Sequence, residues 1–257
     1  MIRQPILEVR NLSRSFGKFQ ALNDVSLALE TGRLCALIGP NGAGKTTFYN
    51  VVSGRYRPSF GRVFFQGRDI SGWPSHRLAG MGLLRSFQIT NIFPALTVLE
   101  NVLVPLVVHH GRSFSCLESI TKRRDLAEEG EQILARVGLM GRSNEVVSTL
   151  AYGDKRLIEI ALVLARRPRL VLLDEPTAGM NPEETDRMIG LIKELAEGSE
   201  TTFLITEHDM KVVFSVAERI FVLNQGSLLA EGSPEEIRAN PEVKRAYLGG
   251  SLDAAGF

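Results

Sequence analysis

Residues 5 to 38 carry the period of strands. Val25, Leu27 and Leu29 alternate with Ser26 and Ala28, and Thr31-Gly32 marks a turn. Leu34-Cys35-Ala36-Leu37-Ile38 is then apolar throughout, as a central strand covered on both faces would be. A glycine-rich loop follows, and after it a helix from about Gly44 to Ser53 that stops at Gly54. From about Gln88 to Ala165 the pattern turns mainly helical. One helix is expected from Lys122 to Val137, with Gly138 just past its end. Another starts near Asp154 and carries Leu157, Ile158, Ala161 and Leu164 at helical spacing.

After Pro168 strands and helices alternate again. Leu170–Leu173 reads as a buried strand, and Asn181-Pro182-Glu183-Glu184 as a helix start with an N-cap, a proline in first place and a glutamate in third. Thr202–Thr206 is a further strand and Asp209 opens a helix. Ile220–Leu223 and Leu228–Ala230 flank an Asn-Gln-Gly turn, a hairpin signal, and two short helices begin at Ser233-Pro234 and Asn240-Pro241. The expected fold is α/β. A mixed-sheet core with an N-terminal antiparallel β region forms one domain over residues 1–257, with a helical subdomain inserted at about 88–165 and short C-terminal helices at about 234–249.

Composition narrows the classes. A chain of 257 residues, 44% hydrophobic and 23% charged, can bury a core without disulfides and is not disordered. Thirty basic against 29 acidic residues leave a net charge of +1, which argues against nucleic acid as a main partner. Cys35 and Cys116 make no disulfide framework, and a reduced, intracellular setting is expected. The most apolar stretch, Ala95–Val108, is interrupted by Glu100, Asn101 and Pro105, short of the roughly 20 apolar residues that a membrane span needs. The N-terminus has no signal-peptide apolar core.

The candidate chemistry begins at Gly39-Pro40-Asn41-Gly42-Ala43-Gly44-Lys45-Thr46, which matches G-x-x-x-x-G-K-[ST] between a buried strand and a helix. Glycines let the backbone wrap phosphates and aim the amides of Gly42, Ala43 and Gly44 at anionic oxygens, with the helix N-terminus adding partial positive charge. Lys45 is expected to bridge the β- and γ-phosphates, Thr46 to ligate Mg2+ and Thr47 to reach the α-phosphate. The run Leu170-Val-Leu-Leu-Asp174-Glu175 delivers two acids at the end of an apolar strand. Asp174 suits the Mg2+ through water, and Glu175 suits an attacking water as general base, which points to hydrolysis.

These motifs and several others, in the same order along nearly the whole chain, resemble the ATP-binding subunits of ABC transporters. Gln88, in Arg85-Ser86-Phe87-Gln88, is similar to the family's Q-loop glutamine, and Leu150-Ala151-Tyr152-Gly153-Asp154 to its L-S-G-G-Q signature. Ala178–Asn181 resembles the D-loop, His208 the switch histidine, and Phe16 the aromatic that stacks on adenine, with Phe19 close by. Residues 85–102 and 232–249 resemble the subunit that serves branched-chain amino acid importers. The resemblance implies a phosphate-loop ATPase fold and ATP with Mg2+ as cofactors. It also implies that Gln88 joins Thr46 and Asp174 at the metal, and that Glu175, His208 and Gln88 carry hydrolysis. Two ATPase subunits, alike or different, would face each other head to tail, each ATP lying between one phosphate loop and the partner's signature. Further implied partners are transmembrane permease subunits, met through Ile92, Phe93 and Pro94, and indirectly a periplasmic or extracellular solute-binding protein. The place is then the cytoplasmic face of the inner membrane, held peripherally.

Two positions depart from the family's pattern. Ala151 stands where the signature has serine, and Asn181 where the D-loop has aspartate, so weaker ATP-driven dimerisation is expected with hydrolysis retained. Alternatives share the motifs: an ATPase of a lipid or lipopolysaccharide exporter, or of an importer for urea, amides or aromatic acids. A soluble ABC-type ATPase usually adds coiled-coil arms or duplicated domains, which this sequence lacks.

Overall fold

The computed structural model describes residues 5–86, 92–111, 124–197 and 200–248. They fall into two compact units, one drawn from Met1–Arg85, Arg169–Pro176 and Ile192–Phe257, the other from Ser86–Pro168 and Thr177–Leu191.

The first unit holds two sheets. Strands β1 (Leu7–Phe16), β2 (Phe19–Leu29), β4 (Phe60–Phe65) and β5 (Arg68–Asp69) form an antiparallel sheet in the order β2-β1-β4-β5. The second sheet contains β3 (Leu34–Ile38), β6 (Leu83–Arg85), β7 (Leu170–Asp174), β8 (Thr202–Thr206), β9 (Arg219–Asn224) and β10 (Ser227–Gly232), ordered β10-β9-β3-β8-β7-β6. Its pairs are parallel except β9–β10. The expected mixed sheet with an N-terminal antiparallel region is therefore the observed architecture. Every residue of β3, β7 and β8 is buried, which is why these strands read as unbroken apolar runs. Burial pushes the Cys35 thiol up to about 12, so it behaves as a small hydrophobe. The β9–β10 turn has Gln225 and Gly226 at φ 47° and 81°, the paired left-handed conformations of a tight hairpin.

Helix α1 (Lys45–Val52) follows β3 and buries Phe48, Tyr49, Val51 and Val52. The Tyr49 hydroxyl, fully buried, donates to the Leu204 carbonyl at 2.6 Å and lies 3.3 Å from that of Leu173. One side chain thus ties α1 to β7 and β8. Between α1 and β6 lie β4, β5 and the short helix α2 (Ser75–Gly80), none of which the hydrophobic pattern predicts.

The second unit is helical among its described residues: α3 (Val98–His109), α4 (Arg124–Arg136) and α5 (Tyr152–Leu164), with 3-10 turns at Met140–Arg142 and Val147–Thr149. Thr97 and Glu100 close a reciprocal capping box on α3. Helix α5 begins two residues before the expected Asp154, because Ala151 takes the extended N-cap conformation. Helix α6 (Pro182–Glu197) starts on a second reciprocal cap: Glu184 N donates to Asn181 Oδ1 at 3.0 Å and Asn181 N to Glu184 Oε2 at 3.1 Å. Back in the first unit, Asp209 caps α7 (Met210–Val216) and Ser233 caps α8 (Pro234–Ala239), with α9 (Pro241–Leu248) after it. Among the described residues no helix is long and apolar enough to cross a membrane.

Replacing Tyr49 by phenylalanine removes its hydroxyl from two buried carbonyls without opening a large cavity. The expected loss is about 1 kcal/mol of stability, measured by urea unfolding; an unchanged midpoint would show that the tie between α1 and the sheet does not depend on this bond.

Candidate functional site

The loop between β3 and α1 is built around glycines that no other residue could replace. Gly39 has φ 152°, and a Cβ there would lie 2.2 Å from the Leu223 carbonyl oxygen. Gly44 has φ 104°, and its Cβ would lie 2.8 Å from the Ala21 carbonyl oxygen. Both conformation and space are closed to a side chain. Ala43 N donates to Pro40 O at 3.1 Å and Gly226 N to Ala43 O at 3.0 Å, so the β9–β10 turn holds the loop from outside. The Ala43 amide therefore closes a turn inside the loop. Asn41, Gly42 and Thr46 are exposed, Pro40 and Thr47 half-buried.

Lys45 is buried, and its Nζ donates to Gly39 O at 2.5 Å and Pro40 O at 3.3 Å, which holds the ammonium over the loop. Burial lowers its pKa below that of an ordinary lysine, and the charges of Glu175 and Asp174 pull the other way.

The two acids at the end of β7 are separated by a sharp change of backbone. Asp174 is the last strand residue, with its side chain 4% exposed; Glu175 turns into the left-handed region at φ 48°. A non-glycine residue there is strained, and Thr206 at the end of the neighbouring β8 holds it. Glu175 N donates to Thr206 O at 3.0 Å and lies 3.2 Å from Thr206 Oγ1, while that hydroxyl donates to Asp174 Oδ1 at 2.7 Å. The other Asp174 oxygen accepts from Arg85 at 2.6 Å, and the same guanidinium donates to Asn50 Oδ1 on α1 at 2.7 Å. Glu175 Oε1 lies 2.8 Å from His208 Nε2. The structure thus brings Glu175 and His208 into contact and fixes Asp174 beside them. Gln88 lies outside the described residues.

The available donors suit magnesium. Thr46 offers an exposed hydroxyl at the first turn of α1 and Asp174 a carboxylate, both hard oxygen ligands, and Mg2+ normally keeps waters and phosphate oxygens in its remaining positions. Among the described residues no group of three or more His, Cys, Asp and Glu side chains could hold a metal by itself.

Phe16 is 40% exposed at the end of β1, with the Arg14 guanidinium 4.5 Å from its ring centroid and Tyr56 edge-on at 5.3 Å. Phe19 pairs with it across the hairpin and is still more exposed.

In the second unit, Leu150 is buried and Ala151 is the N-cap residue of α5, with no side-chain bond to the helix. Tyr152 leads the helix and donates through its hydroxyl to Ala178 O at 3.2 Å. Gly153 packs so closely on α6 that a Cβ would come within 2.6 Å of Glu184 Oε1. Asp154 accepts from Arg142 at 2.8 Å and from Arg187 at 3.4 Å. Three residues of the site carry no motif of their own: Arg85, Asn50 and Thr206. Arg85 stands in a stretch already singled out, yet a lone arginine at a strand end does not announce its partner.

Residues 22–178 match the family described as ABC transporter, and residues 227–253 that described as Branched-chain amino acid ATP-binding cassette transporter. The chain belongs to the ABC transporter ATP-binding cassettes. This cassette is 44% identical, over 96% of its length and 98% of the relative's, to the high-affinity branched-chain amino acid transport ATP-binding protein LivG of Salmonella typhimurium. It is 43% identical over the same shares to the corresponding protein BraF of Pseudomonas aeruginosa. Among solved structures, the ADP conformation of MJ1267, an ATP-binding cassette of an ABC transporter, superposes with a TM-score of 0.85 at 30% identity, covering 96% of this chain and 99% of that one. As a cassette of this family, the chain is an ATPase.

Serine at position 151 would supply the missing cap of α5. Ala151→Ser should raise the unfolding free energy by about 1 kcal/mol, read by thermal or urea denaturation without nucleotide; no gain would mean that water already satisfies the first turn.

Proposed function

We propose that this cassette is the ATP-hydrolysing subunit of an importer for branched-chain amino acids, attached peripherally to the cytoplasmic face of the membrane. The observation that carries the hydrolytic part is the Glu175–His208 contact at 2.8 Å, one residue from Asp174 and on a backbone clamped by Thr206. The substrate class is supported by the likeness to LivG and BraF and by the C-terminal match at residues 227–253.

In this reading Gly39–Thr47 wraps the triphosphate, and Lys45 exchanges its loop carbonyls for the β- and γ-phosphate oxygens. Phe16 stacks on adenine, its far face already covered by Arg14. Thr46 and Asp174, with Gln88, would hold Mg2+, which neutralises phosphate charge when bound. Glu175 accepts the proton of the attacking water, and His208 orients that carboxylate and meets the γ-phosphate. A second cassette presents residues 150–154, where the first-turn amides of α5 are left without a side-chain cap and can receive the γ-phosphate. Closing and opening then pass to permease subunits through Ile92, Phe93 and Pro94. Phe93 and Pro94 are exposed, and Asn101 pins the segment by accepting from Phe93 N at 2.7 Å and donating to Phe93 O at 3.0 Å. A fixed, exposed aromatic suits a coupling contact better than a loose loop would.

Glu175→Gln should still bind ATP while turnover falls by about 100-fold or more; near-normal phosphate release would remove the general-base role. In that slow background Ala151→Ser should also tighten ATP-dependent dimerisation, about tenfold if the added hydroxyl bonds a phosphate oxygen, measured by analytical ultracentrifugation.

Affinity purification of the tagged chain from gently solubilised membranes should recover two polytopic proteins and a second ATPase subunit. Deleting the chain should abolish uptake of labelled leucine. Recovery of soluble proteins alone would leave ATPase chemistry and remove transport; intact leucine uptake beside polytopic partners would remove the substrate assignment.

A further inference from the structure

We propose that Arg85 is a positioning residue for Asp174: it fixes the carboxylate and tempers its hold on the divalent cation that accompanies the nucleotide. Arg85 is the last residue of β6 and pairs in register with Leu172, two residues before Asp174 on the adjacent β7. Its side chain is 9% exposed and that of Asp174 4%, so their contact at 2.6 Å is a buried ion pair. The guanidinium is fixed from two further directions. It donates to Asn50 Oδ1 at 2.7 Å, and its charge lies 5.5 Å from the ring centroid of Tyr49, both on α1. Among the described residues its Nε is buried with no hydrogen-bond partner, and its polar contacts are those to Asn50 and Asp174.

This geometry has a chemical consequence at Asp174. Thr206 Oγ1 donates to Oδ1 and Arg85 to Oδ2, so both oxygens are engaged before any metal is considered. A carboxylate committed to an arginine is a weaker ligand for a second cation, because the arginine repels that cation and takes up part of the carboxylate's acceptor capacity. It favours a bond through water over direct coordination. Lys45 is a further cation whose charge reaches Asp174, but its carbonyl contacts face the loop, whereas Arg85 touches the carboxylate itself. Through Asn50 the same guanidinium ties the metal carboxylate to the helix that begins at Lys45 and Thr46. Arg85 thereby sets where the carboxylate stands relative to α1 as well as how strongly it draws a metal.

The inference rests on the reading of Asp174 as the carboxylate beside the nucleotide's metal, and the experiment separates the two. The Mn2+ affinity of the full chain saturated with ADP is measured by electron paramagnetic resonance, and ADP affinity without metal by equilibrium dialysis. Arg85→Gln should bind Mn2+ about tenfold more tightly, a modest share of what a unit charge exerts at a few ångströms in a medium of effective dielectric about 20. ADP affinity without metal should stay within about twofold, since Arg85 touches no group assigned to phosphate. Arg85→Lys, which keeps the charge, should return Mn2+ affinity to that of the parent. A merely structural arginine would lower stability in both variants and leave the metal-to-nucleotide split unchanged. Arg85→Met, which removes the charge but fills the space with an apolar chain, should tighten Mn2+ by a similar factor and decides the matter if Arg85→Gln does not fold. Unchanged or weaker Mn2+ binding in Arg85→Gln, or in Arg85→Met in its stead, overturns the inference. Absence of any ADP-dependent Mn2+ site in the parent chain overturns the reading of Asp174 itself.

Discussion

Two carboxylates in consecutive positions at the end of a buried strand repel each other, and the site depends on how that repulsion is held. Parallel pairing of β7 with β8 sets Asp174 opposite Thr206, and Thr206 serves both acids with one residue. Its hydroxyl donates to Asp174 while its carbonyl accepts the Glu175 amide. The amide bond holds Glu175 in a conformation that a non-glycine residue resists, and its carboxylate meets His208. One acid becomes a buried, doubly bonded group and the other a half-exposed carboxylate. Strand alternation alone would separate the side chains; the left-handed turn gives them different solvents as well.

The phosphate loop depends on the same sheet through α1. Tyr49 reaches the carbonyls of β7 and β8, Asn50 reaches Arg85 on β6, and the amides at the start of the helix remain at the loop. Successive residues of one helix turn thus anchor it to three strands. The helix that carries Lys45 and Thr46 cannot shift without disturbing the carboxylate end of β7, which places the groups assigned to phosphate and those assigned to metal on one rigid frame. Gly44 and Gly226, both left-handed and both close to the Ala21 carbonyl, fix the loop on its outer side.

Much of this architecture was legible because burial on both faces leaves a simple trace: β3, β7 and β8 are apolar runs, and α6 and α8 open on caps with proline behind them. The stretch from Arg55 to Ser86 was not. In β4, Val63 and Phe65 point inward, but Phe60 is 77% exposed and Phe64 lies under Arg10 at 4.6 Å, so the outer face looks as apolar as the inner. Strands β5 and β6, of two and three residues, are too short to show a period. In the candidate site, the residues that could be named in advance are those whose constraint is local, such as the glycines and Lys45 of one loop. Arg85, Asn50 and Thr206 act through partners 31 to 89 positions away, and no spacing rule reaches that far.

The segment of the second unit that resembles the family's signature handles its own carboxylate by a related device. Asp154 sits in the first turn of α5, where a negative charge favours the helix but would oppose an arriving phosphate. Arg142 and Arg187 meet it at 2.8 and 3.4 Å, and Tyr152 braces the same turn against Ala178. With its charge answered from the side, Asp154 stabilises the turn without adding net repulsion there. Asn181 fits the same economy. It caps α6 through Glu184, whose carboxylate also lines the close approach of Gly153. An amide at 181 fulfils the capping role as well as an acid would, and it adds no second negative charge beside Glu184. The departures from the family pattern at Ala151 and Asn181 thus differ in kind: the first removes a group that both the helix and a phosphate could use, whereas the second keeps the helix intact and lowers the local charge.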